Sequence, residues 1–148
     1  MAERSDSFIG RGWSFAPSFD IPSASVVMAE GVDDIRQSLE ILLTTTPGER
    51  IMQPKYGCHL GELLFESLDA GMKTRIVDRI KTAILYFEPR IEVTHIELDD
   101  ARQNEGVVLV EIEYVVSATN SRFNFVYPFY RNEGTELDLL TTNHPLAK

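Results

Sequence analysis

Residues 107–130 read VVLVEIEYVVSATNSRFNFVYPFY, and this stretch decides the fold. Val108, Val110, Ile112, Tyr114 and Val116 fall on alternate positions, the period of a strand with one buried face. Phe123, Phe125, Tyr127 and Phe129 repeat the alternation, and Thr119-Asn120-Ser121 between the two runs has the composition of a tight turn. Strands joined by so short a link pair antiparallel. Pro128 has no N–H to give to a ladder, so the second strand, Arg122–Tyr130, is expected to lie at a sheet edge or to end there. Upstream, Ile91–Leu98 forms a third apolar run. Its parity switches from Ile91 and Val93 to Ile96 and Leu98, which predicts a bulge or bend near His95. Asn104-Glu105-Gly106 supplies the turn into the next strand.

Two helices precede these strands. Met72, Ile76, Ile80, Ala83, Ile84 and Phe87 form one continuous stripe, which predicts a helix from about Asp69 to Phe87 with Ser67 as its N-cap. The helix stops at Glu88 because Pro89 disfavours helical geometry in the residue before it. An earlier stripe of Ile35, Leu39, Leu42 and Leu43 predicts a helix from about Asp33 to Thr44. Asp33 and Asp34 suit its start, by capping or by attraction to the helix dipole. Pro47-Gly48 then predicts a type II turn. Between the helices, Leu60, Leu63, Leu64 and Phe65 suggest a short buried turn of helix. The expected fold is α+β: two helices packed on a three-stranded antiparallel meander, with an extended N-terminal arm. The expected divisions are 1–31 for the arm, 32–131 for a single α+β domain and 132–148 for a polar tail. Phe8, Trp13, Phe15 and Phe19 make the arm too apolar for a free tail, so it packs on its own domain or anchors on a neighbouring subunit.

The 148 residues suit one domain, and a chain of this size buries roughly 68–70% of its unfolded surface. The net charge of −9 opposes binding to a phosphate backbone, and no basic stripe offsets it, so no nucleic-acid partner is expected. Acid concentrates between Glu88 and Glu113, where eight carboxylates (88, 92, 97, 99, 100, 105, 111 and 113) face Arg90 and Arg102. These are solvated strand and loop positions, or an acidic face for a basic partner arm. One cysteine, Cys58, cannot form an internal disulfide. With no signal-like stretch near the N-terminus and no apolar run approaching the ~20 residues of a membrane span, synthesis and assembly in a cytoplasm are expected, with no membrane insertion.

Catalytic chemistry finds little support. Glu62, Glu66 and Asp69 are the nearest local carboxylate cluster, but no aromatic sugar platform accompanies them. Cys58 would need a base, and the adjacent His59 points its side chain elsewhere; His95 and His144 are unplaced. The histidines and the cysteine lack metal-ligand spacing, and Gly10-Arg11-Gly12 lacks the lysine and flanking elements of a phosphate loop. No catalytic residue, metal or cofactor is therefore assigned. Glu88-Pro89-Arg90 is the unusual feature. It reads either as a helix stop with a surface ion pair worth ~0–1 kcal/mol, or as a rigid presentation of an acid and a guanidinium to a partner carboxylate.

Taken together, Gly10-Arg11-Gly12-Trp13-Ser14-Phe15, Ile35-Arg36-Gln37-Ser38-Leu39, Thr46-Pro47-Gly48-Glu49-Arg50, Tyr56-Gly57-Cys58 and Glu88-Pro89-Arg90-Ile91 resemble the baseplate wedge and sheath-initiator family of contractile phage tails, type VI secretion systems and extracellular contractile injection systems. Their order and spacing span most of residues 8–130. Ala16-Pro17 departs from the Pro-Pro that relatives often carry. The resemblance implies a structural protein rather than an enzyme, although the family has carried a lysozyme-like label. It implies that Glu88, Pro89 and Arg90 dock on the helical core bundle of the baseplate wedge. It also implies that the edge strand bearing Phe123, Phe125, Tyr127 and Phe129 accepts strands of the sheath subunit. Wedge subunits and the sheath subunit are the implied partners, with tail tube or hub proteins beside them and six copies in the assembled baseplate. On this reading Arg90→Ala is expected to leave the isolated fold intact and weaken docking. A small peptidoglycan hydrolase and an adaptor unrelated to contractile tails are the alternatives.

Overall fold

The computed structural model describes residues 8–58, 60, 61, 63 and 68–130. The sequence readings of Ser67, His59, Glu62, Leu64, Phe65, Glu66, His144 and the tail from 132 fall outside the described residues.

Residues 8–30 fold back on themselves as a long hairpin. Strand β1 (Arg11–Trp13) pairs antiparallel with β4 (Met28–Glu30), and β2 (Phe19–Asp20) pairs with β3 (Ser25–Val26) nearer the tip. Helix α1 (Gly31–Thr44) follows directly. It begins two residues before the predicted start, so Asp33 and Asp34 sit inside its first turn rather than at the cap, where no side chain bonds. Ile35, Leu39, Leu42 and Leu43 are buried as the stripe predicts. Beyond α1 the Glu49 amide bonds the Thr46 carbonyl at 3.1 Å, and Gly48 has φ +97°, the geometry of the predicted type II turn.

Helix α2 (Ala70–Phe87) is capped by Asp69, whose carboxylate accepts the Met72 amide at 2.7 Å. Its stripe of Met72, Ile76, Ile80, Ala83 and Ile84 is buried. The sheet has the order β5 (Ile91–Asp99), β6 (Val107–Val116) and β7 (Ser121–Tyr130), antiparallel throughout. A 3₁₀ turn, Gln103–Glu105, links β5 to β6. The predicted bulge lies between Val93 and His95. Thr94 is the extra residue, and its hydroxyl bonds the Glu113 carbonyl at 3.0 Å. The bulge is what lets Ile91, Ile96 and Leu98 all reach the buried face despite their changed parity.

The five alternate residues of β6 are fully buried at the centre of the core. On β7, Phe123, Phe125, Tyr127 and Phe129 pair with Tyr114, Ile112, Val110 and Val108 and pack partly buried against the same core. The opposite face of the sheet is acidic. Glu97 lies directly across from Glu111, and His95 across from Glu113. No helix among the described residues is long and apolar enough to cross a membrane.

Candidate functional site

Helix α2 ends where Pro89 requires, and the chain turns at once into β5. Glu88 is left at the junction with only 2% of its surface exposed. Arg90, two residues on, returns its guanidinium to that carboxylate: Nε donates to Oε1 at 2.5 Å and Nη2 to Oε2 at 2.7 Å. The pair is bidentate, the geometry in which a planar guanidinium matches a carboxylate best. From α1, Ser38 donates its hydroxyl to Glu88 Oε2 at 2.5 Å, and Asp34 accepts Arg90 Nη1 on Oδ2 at 2.5 Å. The same Nη1 lies 3.4 Å from the carbonyl of Ile9, at the base of the hairpin. The hydrogen bonds that Arg90 donates, to Glu88 first and to Asp34 after it, hold the guanidinium pKa above its ordinary value despite burial.

This geometry corrects the surface ion-pair reading. Glu88 is interior, and the fork of Arg90 is occupied by residues of its own chain. Asp34, Ser38 and Ile9 lie 56, 50 and 81 residues away from their partners, so no local stretch of sequence shows them as members of the corner. One signal was present: Asp34 and Ser38 are spaced i, i+4 beside the buried Ile35–Leu39 stripe, so both belong to the edge of α1 that meets other elements.

The second candidate is the outer edge of β7. Among the described residues no strand pairs with it. Phe123, Phe125, Tyr127 and Phe129 face inward and only Tyr130 at its end is an exposed aromatic, so along most of its length what it offers outward is backbone. Two clefts lie along its seam with α1. One, of about 880 Å³, is bounded by Asn124–Val126, by Asp33, Arg36, Gln37 and Glu40 of α1, and by the hairpin. The other, of about 290 Å³, is bounded by Tyr127–Tyr130 and by Leu43–Thr46. The opposite edge, β5, is interrupted by its bulge and carries exposed Glu92, Glu97 and Asp99, features that blunt an edge against pairing.

The remaining sequence candidates are not brought together. Cys58 is buried at one side of an apolar hollow between the 47–58 loop and α2. Burial pushes its thiol up to about 12, with Arg79 opposing the shift, so the thiolate needed of a nucleophile is scarce at neutral pH. Arg11 of Gly10-Arg11-Gly12 pairs with Glu30 at 2.9 Å across the hairpin. No metal-binding cluster of histidine, cysteine and carboxylate occurs among the described residues.

Two predictions follow from these environments. The expectation that Arg90→Ala leaves the isolated fold intact is revised: the substitution leaves Glu88 charged and enclosed, and breaking such a pair costs about 3–5 kcal/mol. Chemical denaturation should show a loss of that order, partly recovered when Glu88→Gln is added; a loss below ~1 kcal/mol would restore the surface-pair reading. For Cys58, the unfolded thiol ionises near its ordinary value of 9.0 and the folded one near about 12. Between those values the unfolded chain has released a proton that the folded chain keeps, so stability falls as pH rises through the window. Cys58→Ala should show a shallower fall than wild type over that range.

The family described as baseplate wedge protein gp25 matches residues 29–121. Baseplate wedge protein gp25 of Enterobacteria phage T4 is 29% identical over 86 residues, 58% of this chain. The aligned stretch spans 64% of that relative's length. A crystal structure of a putative tail lysozyme from Geobacter sulfurreducens is 37% identical, with a TM-score of 0.67, covering 74% of this chain and 99% of that one. A chain of the anti-feeding prophage baseplate is 28% identical with a TM-score of 0.60, covering 85% of this chain and 89% of that one. The family match runs from β4 through both helices, the Glu-Pro-Arg corner and strands β5 and β6, and on this ground the chain belongs to the family of baseplate wedge protein gp25.

Proposed function

We propose that the chain is a structural subunit of the baseplate of a contractile injection machine, carrying out no reaction of its own. In this reading it docks on the core bundle of the baseplate wedge near the Glu88-Pro89-Arg90 corner, and it starts the sheath by accepting a sheath strand on β7. Six copies serve one baseplate, with tail tube or hub proteins as further neighbours. The observation that carries the second half is the asymmetry of the sheet: both outer strands have an unpaired side, but β5 is bulged and acidic, whereas β7 pairs in unbroken register and is flanked by clefts. Strand addition needs a run of free backbone donors and acceptors beside space for a chain. The acidic outer face around Glu97, Glu111 and Glu113 would favour approach of a basic sheath segment.

The test combines microscopy and cross-linking. Negative-stain images of a strain lacking the gene should show no sheathed particles, which return with the wild-type copy. In assembled particles Asn124→Cys on β7 should cross-link to the sheath subunit, and Glu97→Cys on β5 should not. Cross-linking from Glu97→Cys alone would sink the choice of β7, and normal particles in the deletion strain would sink sheath initiation.

The likeness to a protein described as a putative tail lysozyme favours a second reading, hydrolysis of peptidoglycan. Against it, Glu88 is enclosed and both it and Asp34 are bonded to one guanidinium, so neither carboxylate is presented to a polysaccharide. The purified chain is expected to leave the turbidity of a cell-wall suspension unchanged, and clearing would reinstate the enzyme. An adaptor unrelated to contractile tails does not fit membership of this family.

A further inference from the structure

Pro128 has no N–H, yet β7 pairs with β6 across it without a break. The direction in which each residue turns its backbone accounts for this. The Ser117 amide donates to the Arg90 carbonyl at 3.0 Å, and the Glu113 carbonyl accepts the Thr94 hydroxyl at 3.0 Å. Both bonds run toward β5. Direction alternates along a strand, so odd-numbered residues of β6 face β5 and even-numbered ones face β7. Val108, Val110, Ile112 and Tyr114 stand opposite Phe129, Tyr127, Phe125 and Phe123. These aromatic residues therefore give their backbone groups to β6. Arg122, Asn124, Val126, Pro128 and Tyr130 turn theirs to the free margin. A proline is tolerated in a sheet where its nitrogen faces away from the ladder, and Pro128 is so placed, opposite Leu109.

For an incoming strand the two halves of this margin are unequal. Over residues 122–126 every second residue offers both an N–H and a C=O. At Pro128 a ring carbon stands where the next donor would be. A carbonyl of the added strand placed there gives up water and gains no bond in exchange. The margin thus supports about five residues, roughly 17 Å of strand. The larger cleft flanks this half: Asn124–Val126 form one wall, and Asp33, Arg36, Gln37 and Glu40 another. Those four follow the i, i+3, i+4, i+7 spacing of one helix face. They bring two carboxylates and one guanidinium to the seam, and the Glu30 carboxylate beside them is already paired with Arg11 at 2.9 Å. Ser14 lines the hairpin wall, and its enclosed hydroxyl bonds nothing among the described residues. An occupant with polar backbone and a cationic side chain toward α1 complements these groups.

We infer that Pro128 sets the register of strand addition: the sheath strand pairs with Arg122, Asn124 and Val126 alone, lies in the cleft between β7, α1 and the hairpin, and carries a lysine or arginine toward Asp33 and Glu40. This inference rests on the strand-addition reading and deepens it from an edge to a length, a register and a charge.

Amide hydrogen exchange reads the register in the wild-type protein. In the isolated chain the Phe123, Phe125 and Tyr127 amides should exchange about tenfold slower or more than those of Arg122, Asn124 and Val126. In purified particles the latter three should slow by about tenfold or more, and Tyr130 should not. Slowing that extends to Tyr130 would overturn the limit while leaving β7 as the docking edge. No slowing at any of the four, in particles whose sheath requires the chain, would overturn β7 itself and the register with it. Concentration-dependent slowing of Arg122, Asn124 and Val126 in the isolated chain, with none added in particles, would make a second copy the occupant and overturn the sheath strand.

Variants in the deletion strain give an independent answer. Asn124→Pro removes a donor from the free margin at the parity of Pro128, so the bonds to β6 remain and exchange at Val110 and Ile112 should be unchanged. Sheathed particles should fall by about tenfold or more, and with Tyr130→Pro they should stay within about twofold of wild type. Equal losses from the two would overturn the limit, and normal numbers with a folded Asn124→Pro chain would overturn pairing along residues 122–126. Glu40→Lys should lower the number about tenfold; no change would overturn the cationic side chain. Where Asn124→Pro fails to fold, the wild-type exchange pattern still decides the register.

Discussion

A carboxylate removed from water must find its counter-charge within the fold, and Glu88 finds it in Arg90. Desolvating two ions costs several kcal/mol each, and only good geometry with further hydrogen bonds offsets that. Here the bidentate fork, the Ser38 hydroxyl and the Asp34 carboxylate supply it. The arrangement demands that four stretches arrive together: the hairpin base, the first turns of α1, the end of α2 and the start of β5. Such a junction is expensive when incomplete, so it favours one relative placement of these elements over nearby alternatives. Pro89 contributes by ending α2 just before Glu88, so that the acid and the guanidinium lie on either side of a fixed bend.

The rest of the molecule is arranged around that bend. Strand β5 starts directly after it, and its bulge at Thr94 keeps both halves of the strand facing the helices. Strand β6 is surrounded and carries the fully buried residues, which leaves the two outer strands to differ. Both are unpaired on their outer sides, but one is kinked and negatively charged, whereas the other is regular and aromatic on its inner face. The helices thus cover one face of the sheet while only one lateral edge is left receptive.

Much of this was legible in the order of residues because it depends on short periods. The α2 stripe, the alternation in β6, the parity change at His95 and the missing N–H of Pro128 each need a window of fewer than twenty residues, and each corresponds to what the structure shows. The hairpin was not legible as strands, since pieces of two or three residues have no period to read. The internal commitment of Arg90 was hidden for a different reason. A dipeptide step from Glu88 to Arg90 looks local and exposed, and nothing within that window reports the arrival of Asp34 and Ile9 from the far end of the chain. The start of α1 was misplaced by two residues for a related cause: Gly31 is held by the Gly10 carbonyl rather than by a capping side chain.

The unpaired margin of β7 also has a consequence in concentration. Backbone donors and acceptors do not distinguish a rightful incoming strand from the same margin on another copy of the chain. Encounter between identical copies grows with the square of their abundance, whereas encounter with a different strand grows with the product of two abundances. Making the chain in small amounts, and in step with whatever completes its sheet, keeps the second process ahead of the first. Stoichiometry of synthesis is then as much a condition of correct pairing as any side chain on the strand.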